Sequence, residues 1–249
     1  MWLDLSIIMP CYNEGSSIRE NMIKLAKYMN KEFRDYTYEM IIVNDGSTDL
    51  TKRLITAAKK QIEDNFEFSN LREIKLINYT PNRGKGCAIR KGIEKASGNY
   101  ILFMDADLST ALSDINKFWI NRDKADIIIG NRKSNQSTVT NKSLKRKIVS
   151  FACNIITKLI VPINYKDTQC GFKFFKRNIA RAIARDQKIA GFAFDVEYLY
   201  IAKLRKYKVL ELPVRWNDRR DSKVKLSKSS RDFFRDLIRI RLNRISYIR

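Results

Sequence analysis

The 249-residue chain contains no histidine. That absence removes the commonest general base and the commonest metal ligand of proteins. A Ser-His-Asp triad, a Cys-His pair and a histidine-bearing zinc site are all excluded. Cysteine is sparse: Cys11, Cys87, Cys153 and Cys170 lie far apart, with no C-x-x-C spacing. They read as reduced thiols of a cytosolic protein, not as a disulfide frame or a zinc site. No apolar run reaches the roughly 20 residues of a membrane span. The greasiest long stretch, IVSFACNIITKLIVPI at 148–163, is broken by Asn154 and Lys158. No signal peptide is visible either, since Asp4 interrupts the start and the run Ile7 to Met9 is too short. The P-loop spacing G-x-x-x-x-G-K-[ST] is missing, which weakens an ATPase reading. Internal repeats, low-complexity tracts and a clear linker are absent as well.

What is abundant is positive charge. Lysine and arginine number 49 against 27 acids, a formal net charge of +22. Such an excess implies an anionic partner: nucleic acid, an anionic membrane surface or a phosphorylated substrate. The basic residues are spread along the chain without an RNP-like or zinc-finger pattern, so no specific nucleic acid is expected. With 44% hydrophobic residues the chain can bury a sizeable core.

Strand and helix signals alternate through the first half. LDLSIIMP, YEMIIV, LREIKLINYT, NYILFMD and ADIIIGNR read as strands. Between them lie SSIRENMIKLAKYMNKEF, a helix with Ser16 or Ser17 as N-cap, and a helix around Leu54, Ile55 and Ala58 capped by Thr48 or Asp49. GKGCAIRKGIEKAS is a third, opened by glycines. This alternation, with near-continuous apolar strands, predicts an α/β fold: a mostly parallel sheet with helices on both faces. Ligands of such sheets bind at the carboxyl ends of the strands, where PCYNE, NDGSTD, DADLST and GNR all fall. Further on, 142–161, RNIARAIARD and AFDVEYLYIAKLRKY look helical, while TQCGFKFFKR and KVLELPVRW look extended. We divide the chain into one domain, 1–225, and a basic amphipathic tail helix, 226–249. On that tail Phe233, Phe234, Leu237, Ile238 and Leu242 fall near one face, and Arg231, Arg235 and Arg239 near another.

The sharpest local signal is ILFMDADLST at 101–110. In an extended segment i and i+2 share a face, so Asp105 and Asp107 would lie within about 7 Å. Like charges that close raise each other's pKa, and something positive must make them tolerable. The simplest candidate is a divalent ion: Mg²⁺ or Mn²⁺ prefers hard oxygen ligands and commonly combines carboxylates with substrate phosphates. Tyr12 offers a ring to stack on a base, and Glu14 an acceptor for ribose hydroxyls. Asp45 lies in a glycine-containing turn. Arg83 and Lys85 stand at a helix N-terminus, a place suited to anions.

PCYNE, NDGSTD, NRGKGCAIRKG and DADLST, in that order, resemble the family 2 glycosyltransferases of GT-A (Rossmann-like, nucleotide-diphospho-sugar transferase) fold. GNR, DTQCGFKFFKR, GFAFDVEYLY and LPVRW followed by SK extend the likeness over nearly the whole chain. They are similar to the dolichyl-phosphate glucosyltransferase branch, close to the dolichyl-phosphate mannose synthases. The resemblance implies an inverting, metal-dependent transfer of a hexose, glucose from UDP-glucose, onto a polyprenyl (dolichyl) phosphate. It leaves mannose from GDP-mannose, or a hydroxyl acceptor, as alternatives. A basic nucleic-acid-binding protein is the reading from a different class.

By the same resemblance Tyr12, Glu14 and Asp45 hold the nucleoside and Arg146 engages phosphate; Pro10, Arg83, Lys85 and Lys223 join them as candidate substrate-binding residues. Asp105 and Asp107 bind the metal, joined by Ser109 where mannose synthases place a Gln. Arg132 engages phosphate, and Asp167 is either a base or a residue that orients an arginine. Leu212 stands where processive synthases carry the Gln of Q-x-x-R-W, which argues against them. A phosphate acceptor also suits a chain without histidine, because a phosphate monoester is mostly dianionic at pH 7. Docking at a membrane would use the basic surplus, at about 1 kcal/mol for each Lys or Arg near an anionic leaflet. The tail helix and 148–163 are the segments suited to lie in the interface; the alternative is that both pack on the sheet. The expected location is cytoplasmic, peripherally on a membrane.

Overall fold

The computed structural model describes residues 3–65, 68–140, 153–217 and 226–248. Arg146, Lys223 and residues 148–152 of the apolar stretch lie outside these ranges. Among the described residues a seven-stranded sheet runs in the order β3-β2-β1-β4-β7-β5-β8. Its strands are β1 (Leu5–Cys11), β2 (Tyr38–Asp45), β3 (Leu71–Tyr79), β4 (Tyr100–Met104), β5 (Ile127–Asn131), β7 (Phe172–Lys176) and β8 (Val209–Pro213). The short β6 (Thr138–Thr140) and β9 (Arg215–Asn217) pair in parallel beside it. The extended stretch KVLELPVRW is thus broken in two at Val214.

The first four strands pair in parallel. Strand β2 is buried at all eight positions and β1 at six of seven, as a central strand covered on both faces must be. Alternation assigns their side chains to two cores. Ile7, Met9, Met40 and Ile42 face α1 (Ile18–Glu32), α2 (Thr51–Glu63) and α4 (Ser113–Ile120). Ile8, Ile41 and Val43 face α3 (Lys85–Lys95), α6 (Arg177–Asp186) and α7 (Phe194–Leu204). Helix α1 follows Ser17, whose side chain makes no cap bond. Helix α2 starts where Asp49 Oδ1 accepts from Thr51 N–H at 3.0 Å.

Strand β7 is the departure from an all-parallel sheet. It lies antiparallel between β4 and β5. Its amino end, and the loop 167–171 before it, therefore reach the sheet edge where the parallel strands have their carboxyl ends.

The second core continues into α5, described over 153–160, and into the tail. The tail is two helices, α8 (Leu226–Leu242) and α9 (Arg244–Ile248), separated at Asn243. Phe233, Leu237, Ile240 and Tyr247 enter the core. Ile238 and Leu242, expected on the same face as Phe233 and Leu237, point outward instead. None of the helices described is long and apolar enough to cross a membrane.

Candidate active site

After Met104 the chain leaves the sheet and turns at once. Leu108 N–H donates to Asp105 O at 3.2 Å, and Leu108 has a φ of 53°. Asp105 and Asp107 therefore stand on a turn, not on one face of a continuing strand. Four neighbours fix that turn. Asn21 Nδ2, buried on α1, donates to Ala106 O at 2.8 Å. Ser109 donates to Asp107 twice, from N–H at 2.8 Å and from Oγ at 2.6 Å. Asn217 N–H of β9 donates to Ser109 O at 2.8 Å. Gly171 lies so close that a Cβ there would come 2.1 Å from Asp105 Oδ2.

The positive group beside this pair is Lys85, the first residue of α3. Its Nζ lies 2.5 Å from Asp105 Oδ1. Burial works against the ammonium charge, but Asp105, Asp195 and Asp107 more than offset it and hold its pKa above the ordinary lysine value. The pKa of Asp107 is pushed up, first by burial and then by the charge on Asp105; the Ser109 hydrogen bonds and Lys85 pull the other way. Beneath Lys85 lies a second pair inside the protein. Lys173, fully buried on β7, donates to Asp195 Oδ1 at 2.5 Å and to Cys170 O at 2.6 Å. Burial raises the pKa of Asp195, against the pull of Lys173 and Lys85.

Arg132 and Asp167 meet across the β5 and β7 loops. Arg132 donates through Nε at 2.7 Å, Nη2 at 2.9 Å and its backbone N–H at 3.0 Å. Burial alone would raise the Asp167 pKa, yet the guanidinium brings it down to about 2. Trp216 of β9 covers Arg132, with the guanidinium carbon 5.3 Å from its ring centroid.

The remaining loops are tied to one another. Asn13, at φ 56°, donates from N–H to Ser47 Oγ at 2.9 Å and accepts from Thr48 N–H at 2.8 Å. Glu14 O accepts from Ser17 and Ile18 N–H at the start of α1. Asp45 turns inward. It accepts from Arg83 N–H at 2.8 Å, Gly84 N–H at 2.9 Å and Asn82 Nδ2 at 2.9 Å, so it fixes the turn that presents Lys85. Gly84 sits at φ 97° with Ala190 O 2.5 Å from where a Cβ would be, so no side chain is tolerated there. Arg83 extends outward over the Tyr79 ring, and Tyr12 is exposed. Pro10 pairs with Val43 one residue before β1 ends.

One sheet edge thus gathers Pro10, Tyr12, Glu14, Asp45, Arg83, Lys85, Asp105, Asp107, Ser109, Arg132 and Asp167. Sequence reasoning did not single out Asn21, Gly171, Lys173, Asp195 or Trp216. Some carried a signal. Asn21 interrupts the apolar face of Ile18, Met22 and Leu25, and Lys173 interrupts a phenylalanine strand; a polar group in such a place needs a partner.

Two carboxylates at an open edge, one already bearing a cation, suit Mg²⁺ or Mn²⁺. Among the described residues no group of three carboxylates or thiols could cage a metal alone. Further ligands would come from a substrate phosphate and water, the usual situation for Mg²⁺.

Residues 6–184 match the model of glycosyl transferase family 2. The chain belongs to that family. It is a glycosyltransferase. It is 35% identical to the dolichyl-phosphate beta-glucosyltransferase of Dictyostelium discoideum, over 95% of this chain and 73% of that one. It is 32% identical to the Homo sapiens enzyme of the same name, over 96% and 75%. In shape it resembles glucosyl-3-phosphoglycerate synthase from Mycobacterium tuberculosis, solved with Mn²⁺, UDP and phosphoglyceric acid. The TM-score is 0.66 at 14% identity, covering 97% of this chain and 78% of that one. The fold of this glycosyltransferase is GT-A.

Proposed function

We propose that this glycosyltransferase moves glucose from UDP-glucose to a polyprenyl (dolichyl) phosphate at an anionic membrane surface, using Mg²⁺ or Mn²⁺. The single observation that carries the site assignment is the Asp105–Asp107 turn, with Lys85 on one carboxylate and Arg132 held nearby. The sugar and acceptor rest on relatives that share this name over nearly the whole chain.

In the reaction an acceptor phosphate oxygen bonds to the anomeric carbon as the carbon–oxygen bond to UDP breaks, with inversion. Asp105 and Asp107 would hold the ion, which supplies Lewis-acid neutralisation of the departing diphosphate. Lys85 keeps its proton and adds a second positive charge on that side. Asp45 sets the turn before Lys85, and Tyr12 and Glu14 lie at the same edge to receive the nucleoside. Arg132 is aimed by Asp167 and Trp216, and its Nη1 is not used in the Asp167 fork. That nitrogen is the one we assign to a phosphate.

Asp167 acts as the orienting residue rather than the base. A carboxylate with a pKa of about 2 is a poor proton acceptor. None is required, because a phosphate monoester, with a second pKa near 6, is already mostly dianionic at pH 7.

The test is incubation of the purified protein with Mn²⁺ or Mg²⁺, polyprenyl phosphate or polyprenol, and either UDP-glucose or GDP-mannose. Lipid-linked glucose should form from UDP-glucose and the phosphate alone. Equal transfer to the alcohol, or transfer of mannose only, would overturn the assignment of substrates.

A further inference from the structure

The tail has two apolar faces, and only one is used inside the molecule. Phe233, Leu237, Ile240 and Tyr247 are buried in the core. Ile238, Leu242, Ile245 and Ile248 are 52%, 76%, 75% and 56% exposed. At about 100° per residue, 238 and 242 fall within roughly 40° of arc on α8, and Ile245 and Ile248 carry the exposed apolar surface on into α9. Arg235 and Arg239 flank it on one side and Arg241 on the other, with Arg231 in line with it a turn or two earlier; all four are exposed. Two acids share α8: Asp232 lies 3.9 Å from Arg235, and Asp236 3.6 Å from Arg239. Arg231 and Arg241 are left in surplus, on a chain of net charge +22.

A stripe of large apolar side chains between arginines has the chemistry of a helix lying flat in a lipid interface. The inner face rests on α7 through the core, so the stripe is presented on a rigid support. The molecule also offers a rival surface. Helix α5 exposes Ile155 and Leu159 on the same side of the sheet while Ile156 and Ile160 pack inward. It exposes two large apolar side chains against the four of the tail, so the tail is the larger apolar surface.

We propose that the outer face of α8 and α9 is the surface by which this protein docks on a bilayer containing anionic phospholipid, with Ile238, Leu242 and Ile245 inserted and Arg231, Arg235 and Arg239 on the headgroups. This rests on the reading of a lipid-linked acceptor and names the face that meets the lipid. The three apolar residues are exposed, so replacing them leaves the core intact.

The experiment is co-sedimentation of the full chain with vesicles of phosphatidylcholine, with and without phosphatidylglycerol. Wild type should bind the anionic vesicles and release as salt rises, since screening shortens the reach of the arginines. The triple variant Ile238→Ser, Leu242→Ser, Ile245→Ser should lose vesicle affinity by roughly tenfold or more. Arg231→Gln with Arg235→Gln and Arg239→Gln should abolish the preference for anionic lipid. Unchanged binding by the apolar triple variant would overturn the proposal, as would loss on Ile155→Ser with Leu159→Ser instead. Transfer to a short, water-soluble isoprenyl phosphate separates this from the functional reading. The apolar triple variant should match wild type there, and a wild type that binds vesicles but transfers nothing would sink the substrate assignment and leave the docking face standing.

Discussion

Two acid–base pairs stand at the same sheet edge and are built differently. Lys85 reaches Asp105 through one contact from a flexible stem, and the carboxylate side chain is 33% exposed. Arg132 grips Asp167 through three hydrogen bonds, with that side chain only 3% exposed. A lysine ammonium is a point charge that can change partners, whereas an arginine fork is specific to its carboxylate. The first pair is suited to yield when an ion and a diphosphate arrive. The second is suited to stay and hold a cation in place.

The difference is broken most severely at Asp107. Asp107→Asn should lower transfer by about 10²–10³-fold, the size of removing one electrostatic stabiliser of a transition state. Its thermal stability should be unchanged or higher, because in the folded chain ionised Asp107 is disfavoured by burial and by Asp105. A large fall in the melting temperature would show that Asp107 is structural. Gly171→Ala comes next. The added methyl needs the space of Asp105 Oδ2, and displacing that carboxylate by about 1 Å should cost on the order of 10²-fold in transfer. Circular dichroism and kinetics together check that the fold remains.

At the fixed pair, Asp167→Ala leaves a buried guanidinium unmatched and should cost about 3–5 kcal/mol in urea unfolding. Asp167 also has a pH signature. Its folded pKa, about 2, lies below the ordinary aspartate value. Its contribution, on the order of 2 kcal/mol, is complete above the unfolded pKa and drains away as pH falls toward 2. The gap between wild type and Asp167→Asn should close over that window. The smallest effect is expected at Asn21. Asn21→Leu leaves Ala106 O without its donor and should weaken apparent Mn²⁺ affinity by roughly 10-fold, the scale of outer-shell partners. A change in melting temperature alone, with metal affinity intact, would make Asn21 merely structural.

Much of this edge was legible in the sequence because strands β1, β2, β4 and β5 are apolar runs that stop at polar clusters. The parallel core and the placement of Asp105, Lys85 and Arg132 follow from that pattern. The position of β7 does not, since its pairing with strands some 70 and 45 residues earlier leaves no local trace. Gly171 and Asp167 join the site only through that insertion. Asp45 was legible as a turn residue, but its three hydrogen bonds to 82–84 depend on β2 and β3 ending side by side. The tail misled for another reason. Its apolar residues cover two faces, and the periodicity does not say which one the core takes.

In the proposed reaction Asp105 would exchange Lys85 for a divalent ion that holds the donor's diphosphate. Calorimetric titration of UDP into the protein, with Mn²⁺ and then in chelator, tests this directly. Binding should be strong with Mn²⁺, at least tenfold weaker in chelator, a difference of about 1.4 kcal/mol, and insensitive to Mn²⁺ in Asp107→Asn. Equal affinity in Mn²⁺ and in chelator for the wild-type chain would contradict it.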